Sequence, residues 1–301
     1  MNAELVSIRP SGALSYDECG YAYYLKYVLK VKPEFVSANL CFGTAIHKAF
    51  TDYVLALTAG VSNFNPIEVF KEKWDEAQSN QAMEFSATFE AEDFTQIGIE
   101  LANQIPDAWG ETGFIPFIDA EGPVVERRFE VVVGHNVILS GEPDILVMDS
   151  ECETLIIDVK STAATYTEEF ALASDQLTDY QLLAENPSSK LGLDECGVSG
   201  LGFFEMVKRK IPKTKLGKGP EIKQPIIVPR RTKARCMERV QRLNWLAEDI
   251  RRKRFPKKAR MAYNSPCNLC EFRNYCLKGD PTGLIFPRDK SSLASLAGER
   301  V

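Results

Sequence analysis

Two carboxylates and a lysine stand close together in the stretch Gly141 to Lys160, GEPDILVMDSECETLIIDVK. Asp144 follows Pro143 near the middle of one predicted strand. Asp158 and Lys160 lie two apart on the next, so their side chains leave the same face of a sheet. A tight turn between the strands would bring Asp144 and Asp158 within metal-bridging distance. Carboxylates and carbonyl oxygens are the ligands Mg²⁺ and Mn²⁺ prefer. Such ions lower the pKa of an attacking water and neutralise charge on a scissile phosphate. Lys160 would orient that water or stabilise the developing negative charge. The same trio also fits two exposed aspartates beside an exposed lysine, and spacing alone leaves both readings open.

A second group of residues points to soft-metal chemistry. Cys267, Cys270 and Cys276 are packed within ten residues, and Cys19 can supply a fourth thiolate from far upstream. Four thiolates suit a [4Fe–4S] cluster or zinc. Zinc sites usually come as two close pairs, so a one-plus-three split across almost the whole chain is unusual for that metal. Cys41, Cys152, Cys196 and Cys236 are scattered in apolar or mixed contexts and read as ordinary core or surface thiols. A disulfide framework is not expected in an intracellular protein of this size. His47 is one of two histidines. A lone histidine on a helix reads as structural or exposed, and by itself it assigns nothing.

These residues need a scaffold, and 301 residues with 45% hydrophobic content allow one large domain or two small ones. No apolar run reaches the roughly 18–20 residues of a membrane span. The start, MNAELVSIRPSGALS, lacks the basic-then-apolar order of a signal peptide. A soluble, cytoplasmic protein is expected. Net charge is −6, which at face value argues against a nucleic-acid partner. The average hides a polarity: Val207 to Arg260 holds 20 Lys/Arg against 4 Asp/Glu. That is an electrostatic footprint suited to phosphates, or else a solvated lysine-rich face.

Periodicity and punctuation then give the elements. Ser15 with Glu18 fits a capping box, and Tyr16, Tyr23, Tyr24 and Tyr27 recur at helical spacing, predicting a helix over 15–30 with Cys19 in its first turn. A second helix is predicted over 39–59, where the small Gly43 and Ala45 precede His47 and permit close backbone approach. Residues 61–121 are acidic, with 13 Asp/Glu against two lysines. They predict helices at 66–81 and 93–110, a lid, a wedge or a docking surface without chemistry of its own. Three short apolar runs at 123–133, 137–149 and 154–160 read as an antiparallel meander. An amphipathic helix at 168–186, strands at 198–208 and 221–228, and a long basic helix at 230–254 follow. The tail from Lys278 has little periodicity and is expected to be partly extended or poorly ordered. The domain organisation expected is 1–60 (N-terminal helices with Cys19 and His47), 61–121 (acidic helical insert), 122–230 (core sheet and helix), 231–278 (basic helix and cysteine cluster) and 279–301 (tail).

Taken in order, the motifs form a pattern. PD-(X13)-DVK resembles the PD-(D/E)XK nuclease superfamily, with Asp158 where Glu is commoner. The wider set is similar to its RecB-like branch. GTAIHKAF with His47 matches the upstream helix, Glu126 and Phe129 match E-x-x-F, and Gly141 and Asp144 match G-x-x-D. Asp158 and Lys160 match D-x-K, and Gln176 and Tyr180 match Q-x-x-x-Y. Each motif is weak alone, and the ordered set, covering about 15–277, is strong. The resemblance implies an α/β fold with a restriction-endonuclease-like core, a mixed central sheet, flanking helices, a helical insert and an iron–sulfur clamp.

It also implies roles. His47, Asp144 and Asp158 would hold a Mg²⁺ or Mn²⁺ ion with the Val159 carbonyl. Gln176 and Tyr180, four apart on one helix face, would bond the substrate backbone or brace Lys160. Glu126 would serve a second metal or pair with the arginines beside it. Cys19, Cys267, Cys270 and Cys276 resemble the [4Fe–4S] staple of AddB-type nucleases and CRISPR-associated RecB-like exonucleases. The implied activity is a metal-dependent DNA exonuclease, acting on single-stranded DNA or DNA ends along the basic 207–260 segment. No G-x-x-x-x-G-K-[ST] loop is present, which favours a stand-alone enzyme of recombination, repair or foreign-DNA processing, with recombination or CRISPR-adaptation proteins as partners. A flap or branched-DNA endonuclease and a non-catalytic nucleic-acid-binding subunit are the alternatives.

Overall fold

The computed structural model describes residues 5–193, 196–214, 216–258 and 265–287. As far as these are described, the chain forms two compact units. One comprises Val36–Val133 and Leu139–Val240, the other Met1–Phe35, Gly134–Ile138 and Gln241–Val301. Parts of the basic segment (Lys215, Ala259, Arg260) and the tail from 288 onward lie outside the described residues. Among the described residues, no helix is long and apolar enough to cross a membrane.

The larger unit is built on helices α1 (Ala38–Thr58), α2 (Pro66–Asn80) and α3 (Ala91–Thr112). Its sheet has β1 (Ile115–Pro116), β2 (Ile145–Met148), β3 (Thr154–Thr162), β4 (Gly200–Val207), β5 (Glu221–Ile222) and β6 (Ile226–Pro229). The order is β5–β4–β3–β2–β1, with β6 sharing the outer edge of β4. β3 and β4 run parallel, from Leu155 opposite Gly200 to Thr162 opposite Val207, and the other pairings are antiparallel. The sheet is therefore mixed, as expected. Every residue of β4 is buried, which suits the unbroken GLGFFEMV run.

The acidic 61–121 stretch contributes its apolar side to the same core as the sheet. Phe70, Trp74, Phe94, Ile97, Leu101 and Ile105 join Phe42, Phe50, Ile145, Ile157 and Phe204 in one cluster. Gly98 admits the Phe70 ring to within less than the space a Cβ would need. Each acidic helix thus has an apolar inner stripe and a charged outer face.

Four predicted elements are broken where tertiary contacts intervene. The 15–30 helix is two pieces, Pro10–Glu18 and a helical stretch of Gly20–Tyr23 followed by a π-helix, Tyr24–Val28, with Cys19 extended between them at φ −163°. A Cβ on Gly20 would crowd the Pro256 ring, and Tyr21 N–H donates to the Pro256 carbonyl. The break is set by chain 235 residues downstream in a way the local pattern does not carry. The 137–149 strand is interrupted by Pro143, so only Ile145–Met148 joins the six-stranded sheet. The 168–186 helix divides at Ser174, which caps α4 (Asp175–Ala184) by accepting from Leu177 N–H. The 221–228 strand divides into β5 and β6.

The basic segment does not form one free cationic face. Arg231 and Arg239 are buried. Arg231 donates to Ala171 O at 2.6 Å and to Thr178 Oγ1 at 3.2 Å. Arg239, on α5 (Lys233–Arg251), grips Asp179 with two bonds of 2.8 and 2.7 Å. Arg209 and Lys223 pair with Glu221, Lys210 with Asp93, and Arg230 with Glu185. In the smaller unit Arg242 pairs with Asp17 and Arg254 with Asp249. Two arginines of the run thus turn inward, while others, such as Lys213, Lys218, Lys233, Arg235 and Lys253, stay exposed. Arg239→Met is expected to destabilise the protein by about 3–5 kcal/mol, because it leaves the fully buried Asp179 carboxylate without its cation. Chemical denaturation checks this, and Asp179→Asn in the same chain should restore part of the loss.

Candidate active site

Asp144 sits at the bend after Pro143, one residue before β2, and not in mid-strand. The β2–β3 register pairs Ile145 with Ile157, so Asp144 comes beside Asp158 as the next step of the ladder. Val159 N–H donates to Asp144 Oδ2 at 2.7 Å, which fixes that carboxylate against β3. Asp158 is 1% exposed, while Lys160, two residues on, reaches the edge of a cavity.

His47 reaches the same place from α1. Ala45, Ile46, Ala49 and Phe50 are buried and fix the helix on the core, leaving His47 at its margin. Its Nε2 lies 2.9 Å from Asp144 Oδ2 and its Nδ1 3.0 Å from Glu126 Oε1. Glu126 adopts a left-handed backbone at φ +48°, a conformation that costs a residue with a side chain about 1–3 kcal/mol. Its N–H donates to Asp144 O at 2.9 Å, so the unusual turn ties both acids together. The neighbouring arginines take other partners, Arg127 with Asp119 and Arg128 with Glu130. Of the two uses sequence left open for Glu126, arginine pairing is not the one adopted. Its E-x-x-F spacing was the available signal.

Gln176 ties the remaining residues into one network. Its Oε1 accepts from Lys160 Nζ at 2.9 Å. Its Nε2 faces Asp158 Oδ1 at 3.2 Å and the Tyr180 hydroxyl at 2.9 Å. Bracing of Lys160 is therefore the geometry present. Lys160 Nζ also lies 2.6 Å from Asp158 Oδ2 as an ion pair, and that buried oxygen has no other partner.

The electrostatics follow from crowding charge in a buried place. Burial, then the adjacent Asp144 carboxylate, raises the Asp158 pKa to about 7 against the pull of Lys160. Burial opposes charge on His47, but Asp144 and then Glu126 outweigh it and lift the imidazole to about 10. His47 in turn holds Glu126 below its ordinary range. Burial likewise opposes charge on Lys160, and Asp158 overcomes it, so the ammonium persists.

His47, Glu126, Val159 and Lys160 share the wall of a cavity of about 580 Å³ with Asn39 and Gly43. Carboxylates, an imidazole and main-chain carbonyls make a hard-to-intermediate donor set that suits Mg²⁺ or Mn²⁺. Asp158 Oδ2, buried with the Lys160 ammonium as its one neighbour, fits that reading. Among the described residues no three His, Cys, Asp or Glu side chains converge at ligating distance, here or at the cysteines. A coordination sphere at these positions requires side-chain adjustment and loss of the His47 proton.

A family model of the PD-(D/E)XK nuclease superfamily matches residues 8–277. The chain belongs to that superfamily. Its members are nucleases, which typically use divalent metals, and the substrate is accordingly a nucleic acid. No curated protein sequence matches the chain. Among solved structures, SSO0001 is 11% identical with a TM-score of 0.34, covering 82% of this chain and 87% of its own. A structure named "Putative exonuclease" from Eubacterium rectale is 13% identical with a TM-score of 0.42, covering 85% of each chain. Likenesses this weak carry no argument about activity.

The smaller unit holds the cysteines. Cys19, Cys267, Cys270 and Cys276 line one cavity of about 620 Å³. Burial, offset in part by the Phe272 backbone, and then the three neighbouring thiols push the Cys270 thiol up. Folding thus gathers residues that the sequence separates by about 250 positions. Phe272, Leu25, Leu29 and Val31 form the apolar cluster beside them.

The proton affinities predict a pH response. His47 and Asp158 both bind protons more tightly folded than unfolded, so their contribution is lost as pH rises. Lys208, depressed to about 8, acts in the opposite sense above that pH. Metal-free protein should therefore lose stability between pH 6.5 and about 8, by at most about 1.4 kcal/mol per pH unit from His47. His47→Gln should flatten that slope, and added Mn²⁺ should reduce it, as read by Tm across pH.

Proposed function

We propose that the protein is a metal-dependent DNA exonuclease of the RecB-like branch, acting on single-stranded DNA or DNA ends. The observation that carries this reading is the linkage of His47, Glu126, Asp144, Asp158, Lys160 and Gln176 by hydrogen bonds and ion pairs, with His47, Glu126 and Lys160 on one cavity wall, in a chain of the nuclease superfamily. His47, Asp144, Asp158 and the Val159 carbonyl would hold Mg²⁺ or Mn²⁺. When bound, such an ion acidifies a water and neutralises charge on the scissile phosphate. Lys160 has three N–H bonds. Gln176 and Asp158 orient the ammonium, which leaves a donor for the attacking water or a phosphate oxygen. Tyr180 is a positioning residue, since it reaches Lys160 only through Gln176.

The cleavage assay is end-labelled single- and double-stranded DNA with Mg²⁺ or Mn²⁺. Asp158→Ala should lower cleavage by about 10²–10³-fold or more while DNA binding persists. Gln176→Ala should lower kcat by about tenfold through a less ordered Lys160. Wild-type protein that binds DNA and cleaves none would establish a non-catalytic binding subunit instead. Cutting of circular single-stranded DNA would establish the endonuclease alternative.

The four cysteines of the smaller unit support a [4Fe–4S] cluster, since four thiols on one cavity wall are the donor set it needs. Its role would be to close a very long loop between Cys19 and the C-terminal trio. Anaerobically purified protein should be brown, and Cys19→Ala should lower Tm more than it changes kcat. A colourless protein with stoichiometric zinc would replace the cluster assignment. The cellular setting that follows is recombination, repair or processing of foreign DNA in the cytoplasm.

A further inference from the structure

Helix α1 carries a second set of features one to two turns before His47. Asn39, Gly43 and His47 are four residues apart and share one stripe facing the same cavity. Gly43 lies inside the helix, where glycine costs about 1 kcal/mol relative to alanine. A Cβ there would meet nothing within 4 Å, so packing within the protein does not require glycine. Asn39 is exposed to the cavity, and its Oδ1 accepts from Lys208 Nζ at 2.8 Å. A lysine can only donate, so the Asn39 carboxamide must turn its Nδ2 donors away from Lys208.

Lys208 is itself unusual. It is 7% exposed, lies 5.6 Å from the Phe42 ring, and among the described residues is paired with no carboxylate. A buried cation without a counter-charge destabilises the fold. Burial depresses it only to about 8, so it stays charged at neutral pH. The two other lysines on this cavity besides Lys160 already have acids, Lys48 with Asp52 and Lys73 with Glu76.

We propose that Asn39 and Gly43 form a subsite for a phosphate of the substrate strand that flanks the scissile one, with Asn39 Nδ2 donating to a non-bridging oxygen. Lys208 is the positioning residue that aims the carboxamide and supplies the positive potential behind it. Gly43 lets the strand backbone lie against the helix. Eight residues of helix separate Asn39 from His47, about 12 Å along the axis, which is why the phosphate met here is not the one cleaved. This inference rests on the nuclease reading above and adds the path of the strand to it.

The test uses full-length wild type, Asn39→Ala, Lys208→Met, Gly43→Ala and Gly43→Leu on single-stranded DNA, with one flanking phosphate at a time replaced by an uncharged methylphosphonate. Asn39→Ala and Lys208→Met should each raise KM about tenfold, the value of one charge-assisted hydrogen bond, with kcat changed less than about twofold. One methylphosphonate position should reproduce that rise in wild type and add nothing in Asn39→Ala. Lys208→Met should raise Tm, which separates lost binding from lost folding. Gly43→Leu should raise KM without lowering Tm, whereas Gly43→Ala should be the milder change. Unchanged KM in both Asn39→Ala and Lys208→Met, or methylphosphonate sensitivity that persists in Asn39→Ala, would overturn the subsite. If wild type cleaves no DNA, the nuclease reading falls separately. Fluorescence anisotropy of labelled single-stranded DNA then decides the subsite by the same expected tenfold change in Kd.

Discussion

Two carboxylates held side by side, one of them fully buried, form the constraint on which this structure depends. Asp144 and Asp158 would repel in a medium that screens charge poorly. The protein does not relieve that by separating them. It surrounds the pair with cationic and donor groups: His47 on Asp144, Lys160 on Asp158, and the Val159 amide between. Each partner comes from a different place in the chain, so the fold must deliver all of them to about an ångström.

The delivery depends on rigid elements. β3 is paired antiparallel to β2 as far as Ile157 and parallel to β4 through Thr162, so Asp158, Val159 and Lys160 leave a doubly paired stretch and stay held by β4. α1 is anchored by Phe42, Ile46 and Phe50 in the core that also receives Trp74 and Phe94 from the acidic helices. Those helices matter to function through this packing. By fixing α1 they fix the reach of His47, although none of their acids enters the site.

Much of the site was legible because strand and helix periodicities are short-range. Two-residue spacing put Asp158 and Lys160 on one face, and four-residue spacing put Gln176 beneath Tyr180. What sequence could not supply was contact between distant segments. Nothing around Ser15 to Val28 reveals that Pro256 will press on Gly20 and split the helix there. Nor does a count of arginines reveal that Arg231 and Arg239 will turn inward to bond carbonyls and Asp179. Burial is a tertiary outcome, and charge runs are silent about it. Glu126 shows the same limit at the site itself: its motif was visible, while its left-handed backbone and its bond to His47 were not.

The Gln176 carboxamide has a consequence of its own. Lys160 can only donate and an ionised Asp158 can only accept, so a single orientation of the amide satisfies both. A glutamate in its place would offer acceptors at both ends and set one of them against Asp158. The amide therefore has a polarity, and it is held in that sense by the charge states of its two neighbours together. Were Asp158 to take up a proton, one reason for that orientation would vanish and the lysine would lose part of its alignment. Ionisation and order at this centre are one variable, read by a side chain that carries no charge.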